Sequence, residues 1–213
     1  MSIKNNLRLI KQNIPDNVTL VAVSKTKTSA NILEAYNSGH KIFGENKVQE
    51  LEKKHKELPP DIEWHMIGNL QKNKVKYIAP FISLIHSIDS IKLLQEVNKR
   101  AIQNNRTIKC LLQVHIAKEE TKFGFKIHEI EEIVLKAKEF KNIKIIGLMA
   151  MATFTDDTKQ LNKEFKVINE INKNIKNHNI HILSTGMSND YKIAINNGSN
   201  MIRVGSAIFG KRN

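Results

Sequence analysis

His181-Ile182-Leu183-Ser184-Thr185-Gly186-Met187-Ser188 reads as a short apolar strand running straight into a glycine loop. Asn197-Gly198 then closes a short helix, and Met201-Ile202-Arg203-Val204 forms a second apolar run ending in Gly205-Ser206-Ala207-Ile208-Phe209-Gly210. A brief strand, a helix and another brief strand make a βαβ unit, whose strands are parallel and buried on both faces. The alternation continues back to the N-terminus. Short runs rich in Val, Ile, Leu or Phe occupy positions 19–23, 41–43, 63–67, 83–88, 109–116, 144–149, 181–184 and 201–204. Amphipathic stripes lie between them. Ile130, Ile133, Val134 and Ala137 form one, Leu161, Phe165, Ile168, Ile171 and Ile175 another, and Ile91, Leu94, Val97 and Ala101 a third. Ser29 is placed to cap a helix running toward Gly39, and Ser90 to cap the third stripe. Eight strands, each followed by a helix, are the count for a (β/α)₈ TIM barrel, whereas an open doubly wound sheet uses about five or six. Residues 2–13 read as an extra N-terminal helix packed outside. No linker, repeat or low-complexity tract divides the chain, so residues 1–213 are expected to form one domain.

Composition narrows the function. The chain has 213 residues, 40% hydrophobic and 26% charged, an ordinary globular balance that argues against disorder. Its longest apolar run, Ile145 to Phe154, is about half of what a membrane span needs, and the N-terminus has no secretory pattern. A single cysteine, Cys110, excludes an internal disulfide and a cysteine-rich zinc site, and fits a reducing cytoplasm. The net charge of +13 is the footprint of a nucleic-acid binder. Yet 29 of the 34 basic residues are Lys and 5 are Arg, and they are spread along the whole chain. Planar recognition of bases and phosphates favours Arg, so the charge reads as compositional bias on solvated helix faces and no specific nucleic acid is expected.

In a barrel the chemistry sits past the C-terminal ends of the strands, with phosphate often held by the loops after strands seven and eight. Gly186, Ser188, Gly205 and Ser206 supply close backbone approach, free amides and hydroxyls in those two loops, as an anion site requires. After strand one comes Val21-Ala22-Val23-Ser24-Lys25-Thr26-Lys27. A lysine at that strand end points into the barrel mouth, where partial desolvation makes its amine a nucleophile toward carbonyls. Lys27 would place a second cation on the same face. In a chain with 29 lysines one lysine proves little; its conjunction with the two anion loops and Arg203 carries the weight. His65, His86 and His115 fall on successive strands, but no carboxylate joins them at metal-site spacing, and they read as satisfied histidines of the core or mouth.

These motifs, together with Phe43-Gly44-Glu45-Asn46, Gln49-Glu50, Trp64-His65-Met66-Ile67-Gly68 and Gly147-Leu148-Met149-Ala150, closely resemble the pyridoxal phosphate homeostasis proteins over essentially all of residues 1–213. The resemblance implies the barrel of alanine racemase's N-terminal domain, PLP fold type III without the C-terminal β domain. It implies binding of pyridoxal 5′-phosphate (PLP) as a Schiff base on Lys25. Ser188, Gly205 and Ser206, with backbone from Gly186 and Met187, match the phosphate cradle. Arg203 matches the arginine that faces the pyridine nitrogen. Asn46, His65, Met149 and Ser184 complete the cofactor set by their place in the motifs. One departure stands out: His115 and Ala117 replace the family's Asn and small polar residue, while Glu120, Lys122 and Gly124 remain.

A racemase of this fold also needs an acid–base group on the opposite face, supplied by a tyrosine of an added domain. With the chain ending at Asn213, Tyr36 and Tyr77 in outer helices, and only Tyr191 near the site, where the family usually has no tyrosine, the expectation is a non-catalytic carrier. It would be a cytoplasmic monomer, without a membrane partner, that buffers PLP or delivers it to apo PLP-dependent enzymes. A weak PLP-dependent amino-acid racemase is the alternative.

Overall fold

The computed structural model describes residues 2–117, 119, 123–175 and 179–210. Among them, eight parallel strands close into a barrel in sequence order, with β8 returning to β1. The strands are β1 (Thr19–Val23), β2 (Ile42–Glu45), β3 (Glu63–Met66), β4 (Leu84–Ile88), β5 (Ile108–Val114), β6 (Ile143–Ala150), β7 (Ile182–Ser184) and β8 (Met201–Val204). The expected boundaries hold for β1 and β8 and shift by one or two residues at the others, because strand ends are set by pairing with neighbours and not by the apolar run alone.

Alternation along each strand divides two cores. Val21, Leu84, Leu111, Ile146, Met149 and Met201 fill the barrel interior. Their outward neighbours, among them Ala22, Phe43, Trp64, Leu112, Leu148 and Ile202, pack under the helices. Those helices bury the expected stripes. In α5 (Ile91–Gln103) Leu94, Val97 and Ala101 are buried, and the Ser90 side chain caps Leu93 N–H. In α6 (Ile130–Ala137) all four stripe residues are buried. In α7 (Thr158–Asn174) Leu161, Phe165 and Ile168 are buried. The cap of α2 (Ser29–Asn37) is Thr28, not Ser29. Its hydroxyl accepts from Asn31 N–H, while the Asn31 side chain accepts from Thr28 N–H, a reciprocal box that Ser29, already inside the helix, cannot make.

The extra N-terminal helix is present as α1 (Ile3–Gln12). It is capped by Ser2, buries Leu7 and Ile10, and packs on α2 and on α9 (Ser206–Phe209), where Asn6 donates to the Ile208 carbonyl at 2.9 Å. The remaining helices are α3 (Val48–Glu57), α4 (Val75–Ile78) and α8 (Tyr191–Asn196). Among the described residues no helix is long and apolar enough to cross a membrane.

Candidate functional site

The C-terminal mouth of the barrel opens into a cavity of about 760 Å³. Lys25, Asn46, Met187, Ser188, Arg203, Gly205 and Ser206 all line it, from the segments just past β1, β2, β7 and β8 or, for Arg203, from β8 itself. Inward-facing parity places Val21 and Val23 inside the barrel, and Lys25 follows two residues on. The other named candidates lie beneath the cavity floor or behind its wall. Met149 is part of the apolar barrel interior. His65 and Ser184 are buried in a polar layer, and Gly186 sits behind the loop that carries Met187 and Ser188. Glu120 and Lys122 lie outside the described residues.

Arg203 organises that polar layer. Its Nη1 donates to the Ser184 carbonyl and to Ser184 Oγ, both at 2.7 Å, and its Nη2 donates to the Ala150 carbonyl at 3.0 Å. Burial lowers its pKa to about 10, against an opposing pull from Asp190, so the guanidinium stays charged at neutral pH. A guanidinium has five N–H donors. Among the described residues three are committed, and the other two belong to a group that lines the cavity.

Behind Ser184 the chain of bonds continues. His86 Nδ1 lies 3.1 Å from Ser184 Oγ, and His86 Nε2 lies 3.0 Å from His65 Nδ1. Arginine can only donate, so Ser184 Oγ accepts from it and has one proton left to give. Among the described residues His86 Nδ1 is the acceptor within reach of that proton, an order that puts the His86 proton on Nε2 and makes His65 Nδ1 an acceptor in turn. That order corresponds to two neutral rings, each with its proton on Nε2. Burial holds His65 down at about 3 and His86 well below its ordinary value, with the His65 and Arg203 charges adding to the latter. His115 is half-buried past the end of β5, its N–H donating to the Phe125 carbonyl. Among the described residues no group of three His, Cys, Asp or Glu side chains is placed to hold a metal ion.

The two glycine loops are stitched together. Arg203 N–H donates to the Gly186 carbonyl, and Asp190 Oδ1 accepts the Met187 N–H. Gly186 has φ +90°, and a Cβ there would come within 2.7 Å of the Ala194 side chain, so only glycine fits this turn. Across the gap the Gly205 and Ala207 amides converge on Ser188 Oγ at 3.2 and 3.5 Å. A Cβ at Gly205 would press on Val23 at 3.3 Å, so the missing side chain keeps this wall thin. Convergent amides beside a hydroxyl suit a phosphate, and the uncommitted Arg203 donors suit a ring nitrogen acceptor.

Sequence reading missed the wall opposite Lys25. Gln113, Phe123, Met151, Thr153 and Phe154 line it from the ends of β5 and β6. Gln113 holds the loop that follows β5 by donating to the Phe123 carbonyl at 2.7 Å. Buried Glu164 of α7 accepts from both the N–H and the hydroxyl of Thr153, fixing the next loop. The available signal was Gln113 itself, a polar residue on the inward parity among the apolar residues that run from Cys110 to Val114. Sequence reading also missed a buried cation, Lys54, on α3. Its Nζ bonds the Ser24 carbonyl at 2.8 Å, Glu45 Oε1 at 2.8 Å and Glu50 Oε1 at 2.6 Å. Burial pushes the Glu45 carboxyl above its usual range, with Lys54 and Ser24 pulling against it.

Comparison with known proteins places this geometry. The model of the alanine racemase N-terminal domain matches residues 1–213, which gives the class: a racemase-type barrel. An alanine racemase of Clostridium difficile shares the fold alone, at 12% identity and TM-score 0.80, covering 99% of this chain and 56% of that one. Much nearer is a pyridoxal phosphate homeostasis protein of Aquifex aeolicus, 38% identical over 197 residues, 91% of this chain and 86% of the relative. PipY of Synechococcus elongatus, solved without and with PLP, is 32% identical with TM-scores of 0.93 and 0.88, covering 98% of this chain and 100% of PipY in both cases. The chain belongs to the pyridoxal phosphate homeostasis protein family.

Proposed function

We propose that this protein binds pyridoxal 5′-phosphate through Lys25 and serves vitamin B6 homeostasis, holding the cofactor for buffering or delivery. The observation that carries the reading is convergence: a strand-end lysine, a buried guanidinium with two donors not committed to any described residue, and an amide-lined cradle meet in one cavity. PLP supplies an aldehyde that condenses with an amine, releasing water, and a pyridine ring that withdraws electrons. Lys25 is the amine for that bond. Ser188, with the amides of Gly205 and Ala207 and the Ser206 side chain, takes the phosphate. Arg203 would hold the ring nitrogen as a donor, and Asn46, just past β2, would contact the cofactor. His65, Met149, Ser184 and Gly186 support these groups from behind.

Arg203 also favours storage over turnover. A permanent cation keeps an acceptor nitrogen unprotonated, which makes the ring a weaker electron sink than one facing a carboxylate. No tyrosine is among the described residues lining the cavity. Tyr36 is bonded to Asp61 at 2.7 Å and Tyr77 lies under Lys74 and Lys76, so neither is placed as an opposite-face acid. We further propose a cytoplasmic monomer in which residues 1–213 act as one unit, with apo PLP-dependent enzymes as recipients. The lone Cys110, buried with its thiol pushed up by desolvation, suits a reducing compartment.

The test is spectroscopic. Protein mixed with PLP is expected to show a visible absorbance band that Lys25→Ala abolishes, and borohydride should fix the label on Lys25. An identical spectrum in the variant overturns the assignment. Exchange of amino-acid Cα hydrogen with solvent deuterium above that of free PLP would instead favour the racemase reading.

A further inference from the structure

The residue after Lys25 adopts an unusual conformation. Thr26 has φ +66°, in the left-handed region, although it is β-branched and solvent-exposed. β-Branched residues are true outliers there, and such a conformation persists only where the surroundings impose it. The imposing groups are identifiable. Glu50 Oε1 accepts the Thr26 N–H at 2.6 Å. The same oxygen is held by Lys54, whose ammonium also grips the carbonyl of Ser24, the residue on the other side of Lys25. Glu45 closes the arrangement, its Oε1 accepting from both Lys54 and the Ser24 hydroxyl, the latter at 2.6 Å. Lys54 thus directs its three N–H donors at three acceptors, two of them carboxylates, with its side chain 6% exposed. Both peptide groups flanking Lys25 are fixed by one buried cluster reached from β2 and α3.

We propose that Glu50 is a positioning residue for Lys25, acting through the left-handed Thr26 turn, with Lys54 and Glu45 fixing Glu50 in place. The turn lets the chain leave β1 toward α2 while the Lys25 side chain stays in the cavity wall. Without the Glu50 anchor Thr26 relaxes to an ordinary negative φ and rotates the peptide next to Lys25, so the amine meets the cofactor aldehyde less often. This rests on Lys25 being the cofactor-bonding amine, as proposed above.

The experiment titrates PLP into apo protein and reads both the visible band and the fraction of borohydride-trapped label on Lys25. Glu50→Ala is expected to weaken covalent capture about tenfold, the scale of one lost conformational constraint. Thr26→Asn, which tolerates left-handed φ, should restore most of that loss when combined with Glu50→Ala. A purely structural role for Glu50 would not be repaired by a change of φ preference at an exposed turn. Thr26→Pro, which fixes φ near −65°, should lose capture even with Glu50 present, and tests the idea independently should Glu50→Ala fail to fold. Undiminished capture in Glu50→Ala or Thr26→Pro, or a double variant no better than Glu50→Ala, overturns the positioning role while the assignment of Lys25 stands. No trapping in the unaltered protein overturns both.

Discussion

Ser184→Ala removes one oxygen from the centre of the buried polar layer, and its cost can be worked from the bonds that oxygen makes. Ser184 Oγ accepts from Arg203 Nη1 at 2.7 Å and faces His86 Nδ1 at 3.1 Å, in a residue that is 0% exposed. Nη1 keeps its second acceptor, the Ser184 carbonyl, so the guanidinium loses one of three bonds. A charge-assisted bond of this kind is worth about 1.5–3 kcal/mol, and a buried acceptor left unpaired at His86 costs about 1–3 kcal/mol more. The expected net loss is therefore about 3 kcal/mol, which for a chain of this length corresponds to a fall in Tm of about 6–12 °C. Urea unfolding at pH 8, with the histidines neutral, measures the loss. Long-range nitrogen–proton NMR on the unaltered protein should find both His65 and His86 protonated on Nε2. A loss under about 1 kcal/mol, or a His86 proton on Nδ1, would refute the donor–acceptor order derived from Arg203.

Stability should also fall on acidification. His40 and His65 are held by burial at about 4 and about 3, below the unfolded value of 6.5. The unfolded chain therefore takes up protons first, and the stability present above pH 6.5 is lost as pH drops toward 4. Each histidine accounts for about 2 kcal/mol at pH 5. Unfolding curves at pH 7.5, 6 and 5 check this, and no change across them would contradict it. Gly186→Ala places a Cβ against Ala194 and Tyr191 at a φ of +90°, and is expected to cost about 2 kcal/mol or more. Thermal melts read that loss, and a neutral substitution would mean the loop does not take this conformation.

Much of the molecule was legible in its sequence for simple reasons. Parallel strands buried on both faces appear as short apolar runs, and helices facing a sheet appear as stripes of period 3.6, so eight repeats of the pair sufficed for the barrel. Barrel geometry then fixed which end carries chemistry, so Lys25, Ser188, Arg203 and Gly205 could be named from position alone. The opposite wall was harder to see. Phe123 and Phe154 lie in loops after β5 and β6, where neither strand nor helix periodicity applies, and their placement depends on Gln113 and Glu164 reaching across. The helix cap at Thr28 was missed by one residue because Thr28 and Ser29 are both capable caps, and the choice fell to the side chain of Asn31.

The net charge of +13 shows the same division. Sequence determined the composition, the barrel and the loops that line its mouth, because apolar patterning and strand-end position are local properties of the chain. It could not tell Lys54 from its many exposed neighbours, nor show that His65, His86, Ser184 and Arg203 form one directed chain of hydrogen bonds. Those facts depend on distances between residues up to 138 positions apart, 203 less 65. Only closure of the barrel brings their strands side by side and removes the water that would otherwise satisfy each group separately.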